Sequence, residues 1–460
     1  MSLVTTRSPS FLERFQICKT VYNYYSNFAI ISEYSHEIDS ANLSHALRNV
    51  ILANPVLGYN FFRVEDGDQV HDGKNFRLSP LNEVLFSDVV SEEKFEVDSE
   101  FLEYVNTIHF ELDTQKPLFK CIVNGKYIAL VFNHAYVDGN SGTSFHKDLL
   151  HELNKLDEKE TLDVLVTKSE LNGIPKSVDE LTTLFHPPLL YTLGALLKRF
   201  LVPTWLTNLW YKLSYPNLSK YPLFRHKTIQ PNTAVKYRII NIPTSECKSI
   251  ISYARQNETT FTPYFTGLAF VSFQNKIAPF LSDKPKSMDA TIVIDGRRYY
   301  PELSNELKYQ GCVTASDIIV EPVTNLGETV RYITQSLSKD IKSRERFHYV
   351  GLLKYLNIFE LYTSKIGTFG RPVFEVSNLG RVNEQGEKLD IDQLWFTQDN
   401  GFSSMITFSV ISTAKKGMNI VIGSSEELED IRNPETNEKL MDEFTTDLKS
   451  SLTNYTKTPL

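Results

Sequence analysis

The chain contains 460 residues, of which 41% are apolar, and it carries a formal net charge of −8 at neutral pH. A single hydrophobic core usually divides beyond roughly 250–300 residues, so this length predicts two domains. The acidic balance argues against nucleic acid as a partner, because a phosphate-binding surface normally needs an excess of basic residues.

The cysteines and the N-terminal residues bear on the cellular compartment. The cysteines are far apart and include no C-x-x-C pair, which predicts neither a disulfide framework nor a zinc site. The N-terminal residues contain no apolar h-region and no cleavage site, so a secretory signal is not predicted. We therefore expect an intracellular, cytoplasmic protein without a bound metal. The four cysteines are Cys18, Cys121, Cys247 and Cys312.

The first part of the chain shows alternating helix and strand patterns. Residues 11–25 are amphipathic, and a surface helix is the simplest interpretation of them. Residues 28–31 predict a strand, and residues 43–51 predict a helix from apolar positions at helical spacing. Residues 56–64 predict a second strand. Residues 116–126 predict a short strand and a turn that lead, as a hairpin, into the next strand.

An apolar run at residues 127–132 predicts a strand that is covered on both faces and that ends at His134. Gly139 and the polar residues after it break the run. Apolar residues then return at helical spacing, with Asn140 or Ser141 as the expected N-cap. The pattern is therefore a strand, a tight loop and a helix.

His134 and Asp138 lie in this loop, and Gly139 follows the aspartate. A histidine has a pKa near neutrality and can take the proton of an acceptor as that acceptor attacks, which is the role of a general base. Asp138 is expected to position the loop rather than to react. Gly139 permits a positive φ or a close approach of another segment. The alternative is a hydrogen-bonded structural histidine at position 134.

Other catalytic patterns are missing from the sequence. There is no G-x-S-x-G elbow for a serine hydrolase, no G-x-G-x-x-G for a dinucleotide and no P-loop. His71 is adjacent to Asp72 in a polar turn and is expected to be structural. His146 and His151, on the helix after the loop, are interpreted as surface residues.

Residues 185–213 form an apolar stretch that is interrupted by basic residues and by Pro203. No uninterrupted span of about 20 apolar residues exists, so the stretch is not expected to cross a bilayer. A buried crossover helix between the domains is one interpretation. The other is a segment that lies on a membrane or a lipid droplet, which its tryptophans and basic residues favour.

A polar segment with several prolines at residues 215–232 indicates a linker, after which the helix and strand patterns restart. We predict an N-terminal domain at 1–220 and a C-terminal domain at 221–460. The recurrence of strands and helices predicts an α/β fold in both. Strands are predicted near residues 235–242, 290–294, 312–320, 373–376, 394–397, 406–411 and 419–422, and helices near 245–256, 262–273, 326–341 and 440–452.

The loop sequence H-A-Y-V-D-G resembles the H-x-x-x-D-G motif of the coenzyme-A-dependent acyltransferase superfamily, and the likeness is closest to the fungal alcohol acetyltransferases. Y-S-N-F at residues 25–28, I-D-G-R-R at 294–298 and V-S-N-L-G at 376–380 are also similar to family segments. The resemblance implies two similar α/β domains of the chloramphenicol-acetyltransferase type. It also implies an active-site tunnel between them, which coenzyme A enters from one side and the acceptor from the other.

The resemblance implies roles for residues of the second half. Arg297 is expected to form an ion pair with Asp138, and Arg298 is the nearby competitor for that position. Ser377 or Asn378 is expected to donate hydrogen bonds beside the pantetheine arm of coenzyme A, although an ordinary turn is the alternative.

Two further sets of candidates follow from the expected donor. Lys284 and Lys286 are candidate contacts for the nucleotide phosphates of coenzyme A, with solvated loop lysines as the alternative. The D-F-G-W-G segment of the plant relatives is absent, which leaves Ser403, Ser404 and Thr407 as candidate donors to the oxyanion.

The resemblance thus implies transfer of acetyl from acetyl-CoA to the hydroxyl of an apolar alcohol, with His134 as the base and no permanently bound cofactor. We expect a monomer, with peripheral contact to the endoplasmic reticulum or to lipid droplets if residues 185–213 are exposed. Two alternatives stay open. One is N-acetyl transfer to a hydrophobic amine or a sphingoid-like amino alcohol, and the other is a binding protein of the same fold without activity.

Overall fold

The computed structural model describes residues 6–24, 27–64, 72–171, 173–203, 205–206, 209–210, 213, 216–230, 234–368, 370–383, 385–401 and 403–454. Tyr25 and Ser26 of the predicted N-terminal motif lie outside these residues, as does His71.

The helices and strands follow the predicted alternation closely in the second half and less closely in the first. The first 220 residues contain α1 (Phe11–Val21), β1 (Asn27–Tyr34), α2 (Ser40–Ala53), β2 (Tyr59–Arg63), β3 (Phe76–Pro80), β4 (Glu83–Leu85), α3 (Phe86–Val89), β5 (Val90–Glu92), α4 (Ser99–Thr107), β6 (Phe119–Asn124), β7 (Tyr127–Asn133), α5 (Gly139–Leu153), β8 (Val164–Thr167), α6 (Val178–Leu181) and α7 (Leu189–Leu201).

The later elements begin after the predicted linker. They are β9 (Val235–Ile242), α8 (Thr244–Gln256), α9 (Phe261–Lys276), α10 (Ala278–Leu281), β10 (Met288–Asp295), β11 (Val313–Val320), α11 (Leu326–Ser343), α12 (Glu345–Gly351), α13 (Ile358–Thr363), β12 (Phe374–Val382), β13 (Ile391–Gln398), β14 (Ile406–Thr413), β15 (Gly417–Ser425), α14 (Glu426–Glu429) and α15 (Leu440–Thr453).

Two large sheets organise the molecule. The first has the strand order β13-β1-β7-β6-β5, and the second has the order β11-β10-β12-β14-β15-β9. β13 lies in the second half of the chain but pairs antiparallel with β1, from Phe28 opposite Gln398 to Tyr34 opposite Ile391. A strand beyond the predicted boundary at 220/221 therefore completes the first sheet.

The predicted hairpin before His134 is present. β6 and β7 pair antiparallel with Asn124 opposite Tyr127, and Gly125 in the turn has a φ of +57°. β7 has neighbours on both sides in the sheet, and all of its residues except Tyr127 are buried. This explains why the strand is a continuous apolar block rather than an alternating one.

The helix after the loop begins at Gly139, and its N-cap is Asp138 rather than Asn140 or Ser141. An Oδ1 atom of Asp138 accepts from the backbone N–H of Ser141 at 3.2 Å. An aspartate is among the preferred N-cap residues, since its carboxylate satisfies an N–H that has no partner within the helix.

The interpretation of α1 as a surface helix is wrong. Phe11, Ile17 and Cys18 on this helix are buried, and Cys18 packs in an apolar cluster with Ile358 of α13. The apolar stripe of an amphipathic helix shows that one face is covered, but it does not show what covers it.

The side chains of β1 alternate between two cores. Phe28 and Ile30 belong to the core of the first half, whereas Ala29 and Ile31 belong to a smaller cluster that also contains Trp395 of β13 and residues of β9 and β15. This cluster joins the two sheets. A third core fills the second half.

The interpretation of residues 185–213 as a buried crossover helix does not hold for α7 and the described residues after it. Phe185 is buried, but the large apolar side chains beyond it are mostly exposed. Those exposed are Leu189, Leu190, Leu193, Leu197, Leu201, Val202, Trp205, Leu206, Leu209, Trp210 and Leu213. Among the described helices, none is long and apolar enough to cross a bilayer.

Candidate active site

His134 follows directly after β7, which is the central strand of the five-stranded first sheet. The side chain of Asn133 fixes this strand end: its Oδ1 accepts from the backbone N–H of Ala135 at 2.8 Å, and its amide lies 3.3 Å from the hydroxyl of Thr20 on α1. The ring of Phe28 packs against the His134 imidazole with centroids 5.1 Å apart. His134 is half-buried as a residue, whereas its neighbours Ala135 and Tyr136 are buried.

The environment of His134 keeps its imidazole neutral. Burial and, second, the positive charge of Lys19 lower the pKa of His134 to about 4. Asp138 and hydrogen bonds to the backbone of His134 and Val137 act in the opposite direction but are weaker. The imidazole is therefore neutral at neutral pH, which is the form that can accept a proton.

Asp138 is 2% exposed and turns its carboxylate towards the second half of the chain. It accepts hydrogen bonds from Arg297 Nη1 and Nη2, both at 2.9 Å, and from the backbone N–H of Cys312 at 3.0 Å. Burial acts to raise the pKa of Asp138, but Arg297 and the Cys312 N–H hold it below its usual value. Asp138 therefore stays ionised and is an anchor rather than a proton carrier.

Arg297 follows β10 and is the partner that the resemblance implies for Asp138. Its guanidinium also donates to the backbone carbonyls of Leu307 at 3.0 Å and Gln310 at 2.6 Å, and it lies 3.1 Å from Asp295. Burial acts to lower the pKa of Arg297, but Asp138 and, more weakly, Asp295 raise it above its usual value. Arg298, the predicted competitor, is exposed.

Gly139 is required by the close approach of another segment, and its φ is not in the left-handed region. A Cβ atom at this position would lie 2.8 Å from Leu379 Cδ2 and 3.4 Å from the ring of Phe396. Leu379 belongs to the V-S-N-L-G segment. The structure thus brings this segment against the first residue of α5.

Ser377 and Asn378 lie within β12 rather than at the end of a strand. Ser377 is buried. Asn378 is exposed, donates from Nδ2 to Thr262 Oγ1 at 3.0 Å and accepts from the backbone N–H of Gly380 at 2.8 Å.

Lys284 and Lys286 are not brought close to the other candidates. They precede β10, whereas Arg297 follows its opposite end. The seven residue steps of β10 alone separate the two ends by roughly 23 Å. Lys284 is exposed and Lys286 is half-buried.

The candidate oxyanion donors use their hydroxyl groups locally. Ser403 donates to the carbonyl of Asn400 at 2.5 Å, Ser404 donates to that of Ile406 at 3.0 Å, and Thr407 donates to Asn400 Oδ1 at 2.6 Å. These contacts stabilise the loop between β13 and β14.

The interpretation of His146 as a surface residue is wrong. His146 is completely buried, with Nδ1 2.9 Å from the hydroxyl of Tyr34 and Nε2 3.0 Å from the carbonyl of Ile30. Burial lowers the pKa of His146 to about 4. Asp72 is also buried, and it pairs with Arg14 at 2.9 Å.

Sequence reasoning missed Lys19, whose charge acts on His134, and two carboxylates whose charges act on Lys19. Lys19 lies on α1, Glu375 on β12 and Asp399 directly after β13. A lysine within an amphipathic segment gives no sign of being buried, because its surroundings depend on which elements the helix packs against. Within the described part of the chain, no group of three His, Cys, Asp or Glu side chains has an arrangement that could hold a metal ion.

Comparisons with known proteins agree with this fold and give the family of the chain. The model of the alcohol acetyltransferase family matches residues 10–448. Alcohol O-acetyltransferase 1 from Saccharomyces cerevisiae is 26% identical, and the match covers 89% of this chain and 90% of that protein.

Solved structures show the same architecture. The trichothecene 15-O-acetyltransferase of Fusarium sporotrichioides superposes with a TM-score of 0.65 at 11% identity, over 97% of this chain and 94% of that chain. The condensation domain of the Monacolin K polyketide synthase MokA superposes with a TM-score of 0.62 at 11% identity, over 99% of both chains.

The fold is the two-domain, chloramphenicol-acetyltransferase-like fold. Within this class, the chain belongs to the alcohol acetyltransferase family. It is an acetyltransferase enzyme of that family.

Proposed function

We propose that the protein transfers acetyl from acetyl-CoA to the hydroxyl group of an apolar alcohol, with His134 as the general base. The observation that carries this proposal is the neutral imidazole of His134, in the same loop as an Asp138 that is fixed by Arg297. Such a site can accept a proton without forming a covalent enzyme intermediate.

The reaction follows from the roles of these groups. His134 takes the acceptor proton as the alcohol oxygen attacks the thioester carbon, and the carbonyl electrons move onto its oxygen. When the tetrahedral intermediate collapses, the bond between carbon and sulfur breaks. The imidazolium then returns the proton to the departing thiolate. Asp138 and Arg297 hold the loop in place throughout.

The acceptor class is tested by measuring thiol release from acetyl-CoA against a panel of alcohols, sterols, sphingoid bases and amines, with product masses read out. We expect O-acetyl esters of apolar alcohols. Absence of ester from the whole panel, with a folded enzyme that binds coenzyme A, would contradict the proposed function.

N-acetyl transfer to a hydrophobic amine is the second candidate. An amine attacks the thioester in its neutral form, and the neutral imidazole of His134 can take the proton that the nitrogen loses. Amides in the product masses identify this reaction. Binding of the panel compounds without any product identifies the third alternative, a binding protein without activity.

For the donor, we propose that Ser377 and Asn378 contact the pantetheine arm and that Lys284 and Lys286 contact the nucleotide phosphates. Charge reversal of the two lysines should raise the KM for acetyl-CoA several-fold and leave kcat unchanged, because phosphate contacts bind ground state and transition state alike. An unchanged KM would assign the lysines to an ordinary solvated loop.

We further propose that the protein is a monomer that attaches to a membrane or lipid-droplet surface through the exposed apolar residues of α7 and the described residues after it. Lys198 supports this, since its ammonium lies 4.1 Å from the ring centroid of Trp210 and places a cation beside an interfacial aromatic. The exposed apolar area would also collect hydrophobic acceptors.

The surface proposal is tested with Leu190→Ser, Leu193→Ser and Leu197→Ser combined. We expect the variant to lose binding to phospholipid vesicles and to keep its turnover of short, water-soluble alcohols. Because the three leucines are exposed, their replacement by serine should leave the melting temperature unchanged. Unaltered vesicle binding by the variant would show that these leucines do not bind a membrane. If light scattering shows that the wild type is a dimer and the variant a monomer, the surface is instead an interface between two copies of the chain.

A further inference from the structure

A half-buried lysine whose charge acts on the proposed base has no role in the reaction described so far. Lys19 lies in the last turn of α1, directly before Thr20, whose hydroxyl contacts the Asn133 side chain at 3.3 Å. Asn133 in turn precedes His134. The end of α1 is therefore fixed against the strand end that carries the imidazole.

Two aromatic rings hold the ammonium group of Lys19. Its Nζ is 4.8 Å from the ring centroid of Phe15 on α1 and 5.9 Å from that of Tyr362 on α13. Cation–π contacts of this kind are attractive and become stronger where water is excluded. The side chain is thus directed by its packing rather than free to sample many rotamers.

The charges around Lys19 come from several elements. Glu375 of β12 and Asp399 after β13 favour its charged form, while Lys365 after α13 opposes it. The Cys18 thiol beside it on α1 also favours the charge, and burial is the largest effect. Gln398 ties Glu375 in place through a hydrogen bond of 2.9 Å.

The positive charge of Lys19 acts on the imidazole of His134. It influences the pKa of His134 more strongly than Asp138 does, because Asp138 points away towards Arg297. Lys19, His134, Glu375 and Asp399 are each partly accessible although burial is the largest effect on each pKa. This combination is expected of side chains that line one internal passage.

We propose that Lys19 is a catalytic residue whose ammonium group stabilises the negative charge that develops on the thioester oxygen when the acceptor attacks. The inference rests on the proposed acetyl transfer. In the attack, the oxygen–carbon bond forms, the carbonyl electron pair moves to oxygen beside Lys19, and the acceptor proton passes to His134. Lys19 stays protonated throughout, and His134 later returns its proton to the thiolate as the carbon–sulfur bond breaks.

The assignment explains why a cation remains in an enclosed site. Removing a charge from water is unfavourable, whereas a preorganised donor to an oxyanion typically accelerates acyl transfer about 10²–10³-fold. The hydroxyl groups of Ser403, Ser404 and Thr407 are engaged in their own loop, and Lys19 supplies the charge in their place.

Two substitutions test the assignment on the full-length enzyme with acetyl-CoA and a primary alcohol. Lys19→Met keeps the length of the side chain and removes its charge, so kcat should fall about 10²-fold or more while the affinity for acetyl-CoA stays within threefold. Lys19→Arg keeps the charge and should retain more activity than Lys19→Met. Lys365→Met, near the same Tyr362 ring, is the matched control. It should keep wild-type kcat at neutral pH and, because Lys365 disfavours the charge of Lys19, move the alkaline fall to higher pH.

The pH profile separates an electrostatic role from a structural one. The pKa of Lys19 is lowered to about 8, so wild-type kcat should fall as the pH rises through that value. The fall should move to higher pH in Lys19→Arg and to lower pH in Glu375→Gln, which removes a carboxylate that favours the charge. The kcat of Lys19→Met, although low, should not fall further as the pH rises through this value.

Three outcomes decide between the possibilities. Retention of wild-type kcat by a folded Lys19→Met variant would overturn the assignment, as would an alkaline limb that is the same in wild type and Lys19→Arg. If Lys19→Met fails to fold, the shift of the limb in Lys19→Arg and Glu375→Gln decides alone. A wild-type enzyme that forms no acetyl product from any alcohol would overturn the proposed function and this inference together.

Discussion

At the scale of single residues, the ion pair of Asp138 with Arg297 positions the loop that carries His134. Each of Asp138→Asn and Arg297→Ala removes the same interaction and should reduce kcat by a similar factor. A double-mutant cycle should therefore be strongly non-additive. Arg298→Ala is the matched control, since this arginine is exposed, and it should behave as wild type. Additive losses in the cycle would show that Arg297 acts on catalysis separately from Asp138.

The buried His146 predicts how stability depends on pH. Its pKa is lowered to about 4 from an ordinary value near 6.5, so the unfolded state binds the proton more readily. The stability from this residue is present above pH 6.5, is lost as the pH falls towards 4, and amounts to about 3 kcal/mol.

Chemical denaturation across this pH range measures the effect. His146→Gln cannot titrate there, so its free energy of unfolding should fall less steeply between pH 6.5 and 4 than that of the wild type. His151→Gln, at an exposed position of the same helix, should keep the wild-type slope. An equal slope in all three proteins would mean that His146 does not contribute to acid sensitivity.

At the scale of elements, the packing of α5 against β12 depends on the missing side chain of Gly139. A Cβ at this position would meet Leu379 at 2.8 Å, so Gly139→Ala should displace the loop of His134 and lower kcat. Leu379→Ala in the same chain should restore much of the activity by making room.

Gly311→Ala is the control for this pair. A Cβ there meets no atom within 4 Å and Gly311 has no positive φ, so the substitution should be neutral. Failure of Leu379→Ala to rescue Gly139→Ala would mean that the close approach is not the reason for the glycine.

The sequence predicted elements better than their surroundings. β9 agrees to the residue, because its boundaries coincide with clear turn signals, and the hairpin before His134 was marked by Asn124 and Gly125. The errors concern α1, α7 and His146. Their patterns were correctly assigned to helices, but periodicity does not tell which distant element covers a helix face, and that decides burial.

The candidate site shows the same limit. His134, Asp138 and Gly139 are candidates because one motif carries them at fixed spacing, and Arg297 is a candidate because a second segment resembles the same family. The proposed role of Lys19, at an unrelated position, depends on the packing of α1 against the end of β7. No local signal could have shown this contact.

At the scale of the whole molecule, β13 joins the two halves. It pairs with β1 in the first sheet, and Asn419 of β15 donates to its backbone at Leu394 at 2.7 Å. Trp395 on this strand is 8% exposed within the cluster between the sheets. The two halves should therefore lose their structure together.

Trp395 is the natural probe of this coupling. Trp205→Phe and Trp210→Phe remove the other two tryptophans, which are 65% and 56% exposed. Trp395 is then the sole source of tryptophan fluorescence. The urea transitions of this emission and of circular dichroism should coincide. A first transition that changes the circular dichroism and leaves the Trp395 emission native would show that the halves unfold separately.

The most direct test of the whole account is the acetyl transfer rate of His134→Ala. The substitution removes the base but little packing, so the variant should fold, bind acetyl-CoA with wild-type affinity and lose about 10²–10⁴-fold in kcat. Asp138→Asn, measured beside it, reports the cost of misplacing the loop while the imidazole is retained. A well-folded His134→Ala enzyme that acetylates alcohols at the wild-type rate would contradict the account.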